Sequence, residues 1–160
     1  MRVPHGLGSG QQPELASAAV LAILEISTGY RILGLLHIVA VVVAFGPLFV
    51  YPALRRAGAA SEMAKLHTYV SLPALVLVWV LGMGMIGMSD NAIEVSDTWV
   101  LLALLSWVVL MVVSWFLIRP AINDTGEQAA KRLAMGTGIT HLLLVFSLWL
   151  MVFKPFLERG

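Results

Sequence analysis

The sequence has no cysteine and very little charge. The lack of cysteine excludes disulfides, thiolate metal sites and redox thiols. Only 12% of the 160 residues are Asp, Glu, Lys or Arg, and 59% are hydrophobic, whereas soluble proteins carry about 25% charged residues. A formal net charge of +1 without a basic stripe gives no basis for nucleic-acid binding. The composition is that of a membrane protein, with the lipid bilayer as its principal surroundings.

Charge is absent altogether from four long apolar runs, at residues 32–51, 66–88, 99–118 and 134–153. Each run reaches the roughly 20 residues that a helix needs to cross a hydrocarbon core about 30 Å thick. Backbone amides in hydrocarbon must bond within their own segment, so each run is predicted to be a helix. Because the connections are short, neighbouring spans should pack antiparallel. The predicted fold is all-α, a four-span transmembrane antiparallel helical bundle.

The chain before these runs is predicted to be distinct, with residues 1–28 as an N-terminal tail and residues 29–156 as the transmembrane domain. Residues 1–13 are mostly polar, with Gly and Gln, and are expected to be disordered. Residues 14–27 are rich in Ala, Leu and Ile and favour a helix. That helix is interpreted as a membrane-surface helix or as an N-terminal extension of the first span.

The connections carry weaker signals. Residues 55–65 are Gly- and Ala-rich and predict a turn, and residues 89–98 have room for a brief helical turn. Arg119-Pro120 is expected to end the third span, because proline cannot continue the hydrogen-bond ladder. After the turn signal at residues 123–126, residues 127–132 should lead helically into the fourth span.

Charge in the connections predicts an orientation. The middle connection holds three acids and no base, and the connections on either side of it hold six basic residues. These residues are Arg55, Arg56, Lys65, Arg119, Lys131 and Arg132. Because Lys and Arg are retained on the cytoplasmic side, the first and third connections should face the cytoplasm of a bacterial inner membrane, with both termini outside.

Two histidines lie within predicted spans. An ionisable side chain in a span is a functional hypothesis because it must find a partner there. Facing imidazoles of His37 and His141 could ligate a haem b axially, or each ring could be a neutral packing residue bonded to a neighbouring helix. His67, at the predicted cytoplasmic start of the second span, is interpreted as an interfacial anchor.

A methionine cluster lies near the outer end of the second span, at Met83, Met85 and Met88. Thioethers suit Cu(I), so a copper site is one interpretation. Residues two apart on a helix point about 200° apart, however, and Met beside glycine is commonly adaptable packing. In the third span, Trp99 is expected at the membrane interface. Trp107 and Trp115 form a stripe of the kind that is usually a packing or lipid-facing surface and occasionally the wall of a cofactor pocket.

Several short motifs resemble a known group of proteins. Leu36-His37-Ile38, Phe45-Gly46-Pro47-Leu48-Phe49 and Pro52 resemble the first span of small bacterial four-helix membrane proteins of the HemJ and CopD type. Residues 152–156 also resemble the HemJ terminus. The resemblance implies a four-helix membrane fold; HemJ-type proteins are haem-containing protoporphyrinogen oxidases, and CopD-type proteins are implicated in copper uptake.

The third span departs from the HemJ pattern. Where that family has a His-x-Lys pair after the entering Trp, this chain has Trp99-Val100-Leu101-Leu102. From Trp99 to Ile118-Arg119-Pro120 it is similar instead to the predicted integral membrane proteins grouped as domain of unknown function 2269. That resemblance covers about residues 30–156 and implies a fold and a location without an established activity.

Three function classes follow from these observations. The first is a small inner-membrane protein, accessory or partner-binding and not an enzyme, whose partners are other membrane proteins or further copies of itself. The second is a haem b-binding oxidase or electron carrier that uses His37 and His141. The third is a copper or small-solute permease; the lack of acids and bases in the spans disfavours ion-coupled transport.

The predicted orientation can be measured by cysteine labelling, because the cysteine-free chain gives no background. A cysteine at Asn91 should react with a membrane-impermeant maleimide added outside spheroplasts. A cysteine at Ala59 should react only after the membrane is permeabilised. The reverse pattern would show that the acidic connection faces the cytoplasm.

Overall fold

The computed structural model describes residues 11–89, 92–124 and 126–155, with side chains from Thr28 onward. Within these ranges the chain is all helical and has no strand. Four helical segments are long and apolar enough to cross a membrane, at Thr28–Arg56, Ala60–Gly87, Thr98–Asn123 and Glu127–Phe153. The all-α, four-span prediction is therefore confirmed, and the architecture is that of a multi-pass membrane protein.

The spans are built from six α-helices and two π-helical turns. In chain order these are α1 (Gln11–Arg56), α2 (Ala60–Leu66), a first π turn (His67–Ser71), α3 (Leu72–Gly87), α4 (Thr98–Val113), a second π turn (Ser114–Ile118), α5 (Arg119–Asn123) and α6 (Glu127–Phe153).

The helix bounds revise the predicted connections. Residues 14–27 belong to α1, which continues through Gly29 without a break. Of the tail predicted to be disordered, residues 1–10 lie outside the described residues, whereas residues 11–13 are helical. The turn predicted over 55–65 is limited to residues 57–59, because α2 already begins at Ala60. The approach to the fourth span is helical from Glu127, as predicted.

Each π turn lies just before a proline. His67 begins the first turn and Pro73 follows six residues later; Ser114 begins the second and Pro120 follows at the same spacing. A proline ring lacks an N–H and collides with the carbonyl four residues back in an ordinary helix. Bonding five residues back relieves this: the Leu72 N–H donates to the His67 carbonyl oxygen.

The second π turn also corrects the predicted end of the third span. The Arg119 N–H donates to the Ser114 carbonyl oxygen, and the chain stays helical through Pro120 to Asn123. Proline therefore widens this helix instead of ending it. Single π turns of this kind often occur at functional positions in helices.

Close approach of α1 and α3 depends on glycine. The His37 ring lies against Gly82, where an added Cβ would be 3.3 Å from its Cε1 atom, and Leu33 lies against Gly84. From the other side, the Met85 methyl group approaches Gly34. In a bilayer, small residues at helix contacts favour packing, because side chains of the neighbouring helix can then approach the backbone at the small residue. The first and second spans thus form one helical hairpin.

The third and fourth spans form the second hairpin, in which α4 packs on α6 and the second π turn also contacts α6. The close contact is at Gly136, where an added Cβ would lie 2.8 Å from Cγ1 of the fully buried Ile118. By comparison, α1 meets α6 and α3 meets α4 only sparsely. The two hairpins are therefore the tightly packed units of the fold.

The hairpins are joined most extensively at one end, called the basic end here, where α2 contacts α5. The Arg55 guanidinium donates to the carbonyl oxygens of Ala121 at 3.1 Å, Asp124 at 3.3 Å and Gly126 at 3.2 Å. A buried cluster that includes Met63 and Ile122 fills the space beneath it. The opposite end, with the connection between α3 and α4, is called the acidic end.

Replacing Gly136 by Ala should destabilise the protein by about 1–2 kcal/mol. The added methyl overpacks the Ile118 contact at a cost of about 1–3 kcal/mol, and the better helix propensity of Ala returns up to about 1 kcal/mol. The measurement is SDS-induced unfolding in mixed micelles. Gly138→Ala is the matched control: no atom lies within 4 Å of its added Cβ, so it should be neutral or stabilising. Equal effects at both positions would contradict the packing assignment.

Candidate functional site

A buried hydrogen-bond cluster joins the hairpins near the basic end. The Nδ1 atom of His67 lies 3.1 Å from the Tyr51 hydroxyl, and its Nε2 atom lies 3.2 Å from both the carbonyl oxygen and the Oγ atom of Ser114. His67 is 1% exposed and Tyr51 is 0% exposed. The first residues of the two π turns therefore bond directly to each other, across the boundary between hairpins.

The hydrogen bonds suit a neutral His67 ring, which burial also favours. In one tautomer Nε2–H donates to the Ser114 carbonyl oxygen and Nδ1 accepts from the Tyr51 hydroxyl. In the other, Nε2 accepts from the Ser114 hydroxyl and Nδ1–H donates to the Tyr51 oxygen. Both ring nitrogens are thus engaged, and the burial of His67 keeps reactants away from it. The interpretation of His67 as an interfacial anchor is wrong: the ring is an internal tie between the hairpins.

The second notable feature is a cavity of about 360 Å³ between the hairpins at the acidic end. Its walls are contributed by α1, α3, α4 and the end of α6, and they are mostly apolar. Ligand pockets typically have volumes of about 300–1,000 Å³. The lining includes aromatic, sulfur-containing and basic side chains, among them His37, Trp79, Met83, Trp99, Trp107 and Lys154.

Aromatic rings line much of this cavity. Trp79 and Trp107 stack with ring centroids 5.8 Å apart, and the Trp107 Nε1–H donates to the Leu75 carbonyl oxygen at 2.9 Å. This bond crosses from α4 to α3, so it is a second polar tie between the hairpins. Trp99, at the start of α4, is buried in the cavity wall; its predicted place at the membrane interface stays a prediction.

The remaining tryptophan of the predicted stripe behaves differently. Trp115 is 48% exposed and lies beneath the Arg119 guanidinium, whose Cζ atom is 4.3 Å from the ring centroid. The two tryptophans of the stripe thus face different surroundings. Trp107, on the second hairpin, faces the first hairpin, and Trp115 faces outward at the basic end.

Polar atoms in the cavity wall are few. His37 is buried against Gly82 and near the backbone of Val78. Its Nδ1 atom and the Nε1 atom of Trp99 are buried without a hydrogen-bond partner among the described residues. Among the described residues of the lining, Lys154 is the one with a charged side chain. The site is thus suited to an apolar molecule with a small polar part.

The structure does not bring His37 and His141 to a common point. The His141 ring stacks on Phe49, with centroids 4.2 Å apart, and Phe49 lies twelve residues beyond His37 on α1, or about 18 Å at 1.5 Å per residue. Two imidazole nitrogens bound to one iron would be roughly 4 Å apart, from metal–nitrogen distances of about 2 Å. These two residues therefore do not fit a shared haem b.

His141 also lacks the bonded neighbour that a packing role had suggested. The Thr140 hydroxyl donates to the Gly136 carbonyl oxygen within α6, and the His141 Nε2 atom has no partner in the described part of the chain. Its contact with the first hairpin is the ring stack on Phe49.

Two of the three methionines border the cavity and the third lies elsewhere. Met83 and Met85 both border the cavity, although residues two apart were expected to point in different directions. The methyl group of Met88 instead lies against Gly29 of α1. Within the described ranges, no group of three or more His, Asp or Glu side chains that could hold a metal ion occurs.

The tie at His67 can be tested with a double-mutant cycle in SDS-induced unfolding. His67→Ala should destabilise by about 2–4 kcal/mol, because it leaves a void and strands the Tyr51 hydroxyl in a buried site. Tyr51→Phe should cost about 1 kcal/mol. Because the two residues are in contact, the destabilisation of the double variant should be about 1 kcal/mol smaller than the sum of the two single destabilisations. Strict additivity would show that the bond contributes nothing.

Comparison with known proteins identifies no relative of this chain: no protein-family model, no curated protein and no solved structure matches it. The resemblance to the HemJ, CopD and domain of unknown function 2269 groups stays a prediction from short motifs. The features of this chain that bear on its function are the cavity and the hydrogen bonds that join the hairpins around it.

Proposed function

We propose that this protein is a non-enzymatic, accessory protein of the bacterial inner membrane that binds a small apolar or amphipathic molecule. The observation that carries this proposal is the tryptophan-lined cavity between the hairpins at the acidic end. Concave, mostly apolar sites with a few polar groups are typical of small-molecule binding, and helix junctions are a common place for them.

The interior beyond the cavity favours binding over passage. Apolar side chains that include Ala44, Phe45 and Leu110 pack together in the middle of the protein. Nearer the basic end, the interior is filled by the Tyr51–His67–Ser114 cluster and its apolar surroundings. A permease needs a route to both sides, whereas this arrangement offers a recess at one.

The orientation proposed from the charges implies which side of the membrane the cavity faces. Positive residues favour the cytoplasm, so the basic end lies there and the cavity belongs to the outer half of the membrane. The ligand would then come from the outer leaflet or from the space beyond it. Both termini would lie on that same side.

The test uses a neutral probe, a dibrominated fatty-acid methyl ester, because bromine quenches nearby tryptophan fluorescence. The protein should carry Trp115→Phe and Trp149→Phe, which removes two outward-facing rings and leaves the three that border the cavity. In detergent at fixed micelle concentration, quenching should include a saturable component. Ala103→Phe, which fills the cavity, should weaken that component by at least about tenfold, a change of about 1.4 kcal/mol.

The matched control is Leu105→Phe, which places the same ring on α4 at an exposed position and should leave the saturable quenching unchanged. Size-exclusion profiles establish that all variants remain monodisperse. Quenching that rises linearly with probe in every variant would mean that the probe only partitions into the micelle, and the proposed function would then fail.

A further inference from the structure

We infer that the ligand is a single-chain amphiphile whose polar end is a carboxylate, as in a fatty acid, with the carboxylate held by Lys154 at the acidic end. This inference rests on the proposed function and specifies the chemistry of the molecule in that site. It depends on three observations: a cation in the lining that has no salt bridge among the described residues, a buried tryptophan N–H without a hydrogen-bond partner among them, and an apolar space that both residues border.

Lys154 is the cation, and its position is fixed by the end of α6. Its backbone N–H donates to the Leu150 carbonyl oxygen at 2.9 Å, and its backbone has a left-handed φ of 42°. A residue with a side chain rarely adopts this conformation. The turn directs the side chain back over the cavity, with Nζ 5.6 Å from the centroid of the Trp99 ring.

The Lys154 ammonium makes no salt bridge within the described ranges, where the two ion pairs are Lys65–Glu62 and Lys131–Glu127. The nearby acids of the described middle connection bond locally instead. Asp97 accepts from the Glu94 backbone N–H at 3.1 Å, and the Glu94 carboxylate accepts from the Ser96 hydroxyl at 3.0 Å. Among the described residues, therefore, no carboxylate pairs with the Lys154 ammonium, which borders an apolar cavity.

Trp99 supplies the second recognition element. Its Nε1–H can only donate, it is buried without a partner among the described residues, and its ring lies under Lys154. A carboxylate oxygen accepts from both an ammonium and an indole N–H. Hydrogen bonds to an ionised group are about twice as strong as neutral ones.

The apolar body of the ligand follows the cavity inward. Trp99 and Trp107 both border the cavity, and they are eight residues apart on α4, or about 12 Å along the helix. The volume of about 360 Å³ is near the lower end of the range for ligand pockets, about 300–1,000 Å³. This space suits one aliphatic chain and excludes the bulk of a two-chain phospholipid.

The experiment compares a dibrominated fatty acid with its methyl ester by the same tryptophan quenching, at about pH 8, where the carboxyl group is ionised. In the protein with native Lys154, the acid should bind about tenfold more tightly than the ester, the worth of one charge-assisted contact. Lys154→Gln should remove this preference by weakening the acid about tenfold while leaving the ester unchanged. Lys154→Arg, which keeps the charge, should retain the preference.

The control is Lys131→Gln at the opposite end, which should match the native protein with both probes. If acid and ester bind equally and Lys154→Gln changes neither, the inferred ligand class is overturned while the proposed function stands. If neither probe binds saturably, the proposed function itself fails. If Lys154→Gln does not yield monodisperse protein, the native protein and Lys154→Arg still decide the question. Equal binding of the acid and the ester by both would overturn the inference.

Discussion

The absence of a hydrophobic force between helices in lipid is the constraint on which this structure depends. Apolar side chains gain nothing by leaving lipid for one another, so close packing and polar contacts must determine which faces meet. The protein meets that need with glycines inside each hairpin, as at Gly82 and Gly136. Between hairpins it uses hydrogen bonds, from His67 to Ser114, from Trp107 to Leu75 and from Arg55 to three carbonyl groups.

These ties are distributed unevenly along the membrane normal, and the uneven distribution gives the protein two different ends. From the middle to the basic end, the hairpins are held by buried polar groups and fitted side chains. Toward the acidic end, α3 and α4 touch only sparsely, and the space between the hairpins is the tryptophan-lined cavity. The same two hairpins therefore supply a fixed base and a recess.

Sequence alone was sufficient for the spans, because length and lack of charge are local properties of each run. It was not sufficient for the role of His67, whose burial depends on two π turns meeting across the structure. The equal spacing from His67 to Pro73 and from Ser114 to Pro120 was the available signal. The cavity had no local signature in the sequence, because it depends on the relative placement of α3, α4 and α6. The position of Trp99 near the end of a span predicts only an interfacial residue. The prediction that Arg119-Pro120 ends the third span was wrong because a π turn accommodates the proline, and a π turn has no clear sequence pattern.

The bonds of Arg55 have a consequence for biosynthesis. Their acceptors lie 66 to 71 residues later in the chain, so they do not yet exist when the first hairpin leaves the ribosome. The first hairpin ends at Gly87 and the first acceptor is Ala121, 34 residues later, so at about 5–20 residues per second the interval lasts roughly 2–7 s. During this time the Tyr51–His67 bond can already form, because both of its residues belong to the first hairpin. The bonds from Arg55 to Ala121, Asp124 and Gly126 can form only after these residues of the second hairpin have been synthesised, so the join at the basic end is a later step of assembly than the hairpin that supplies its donor.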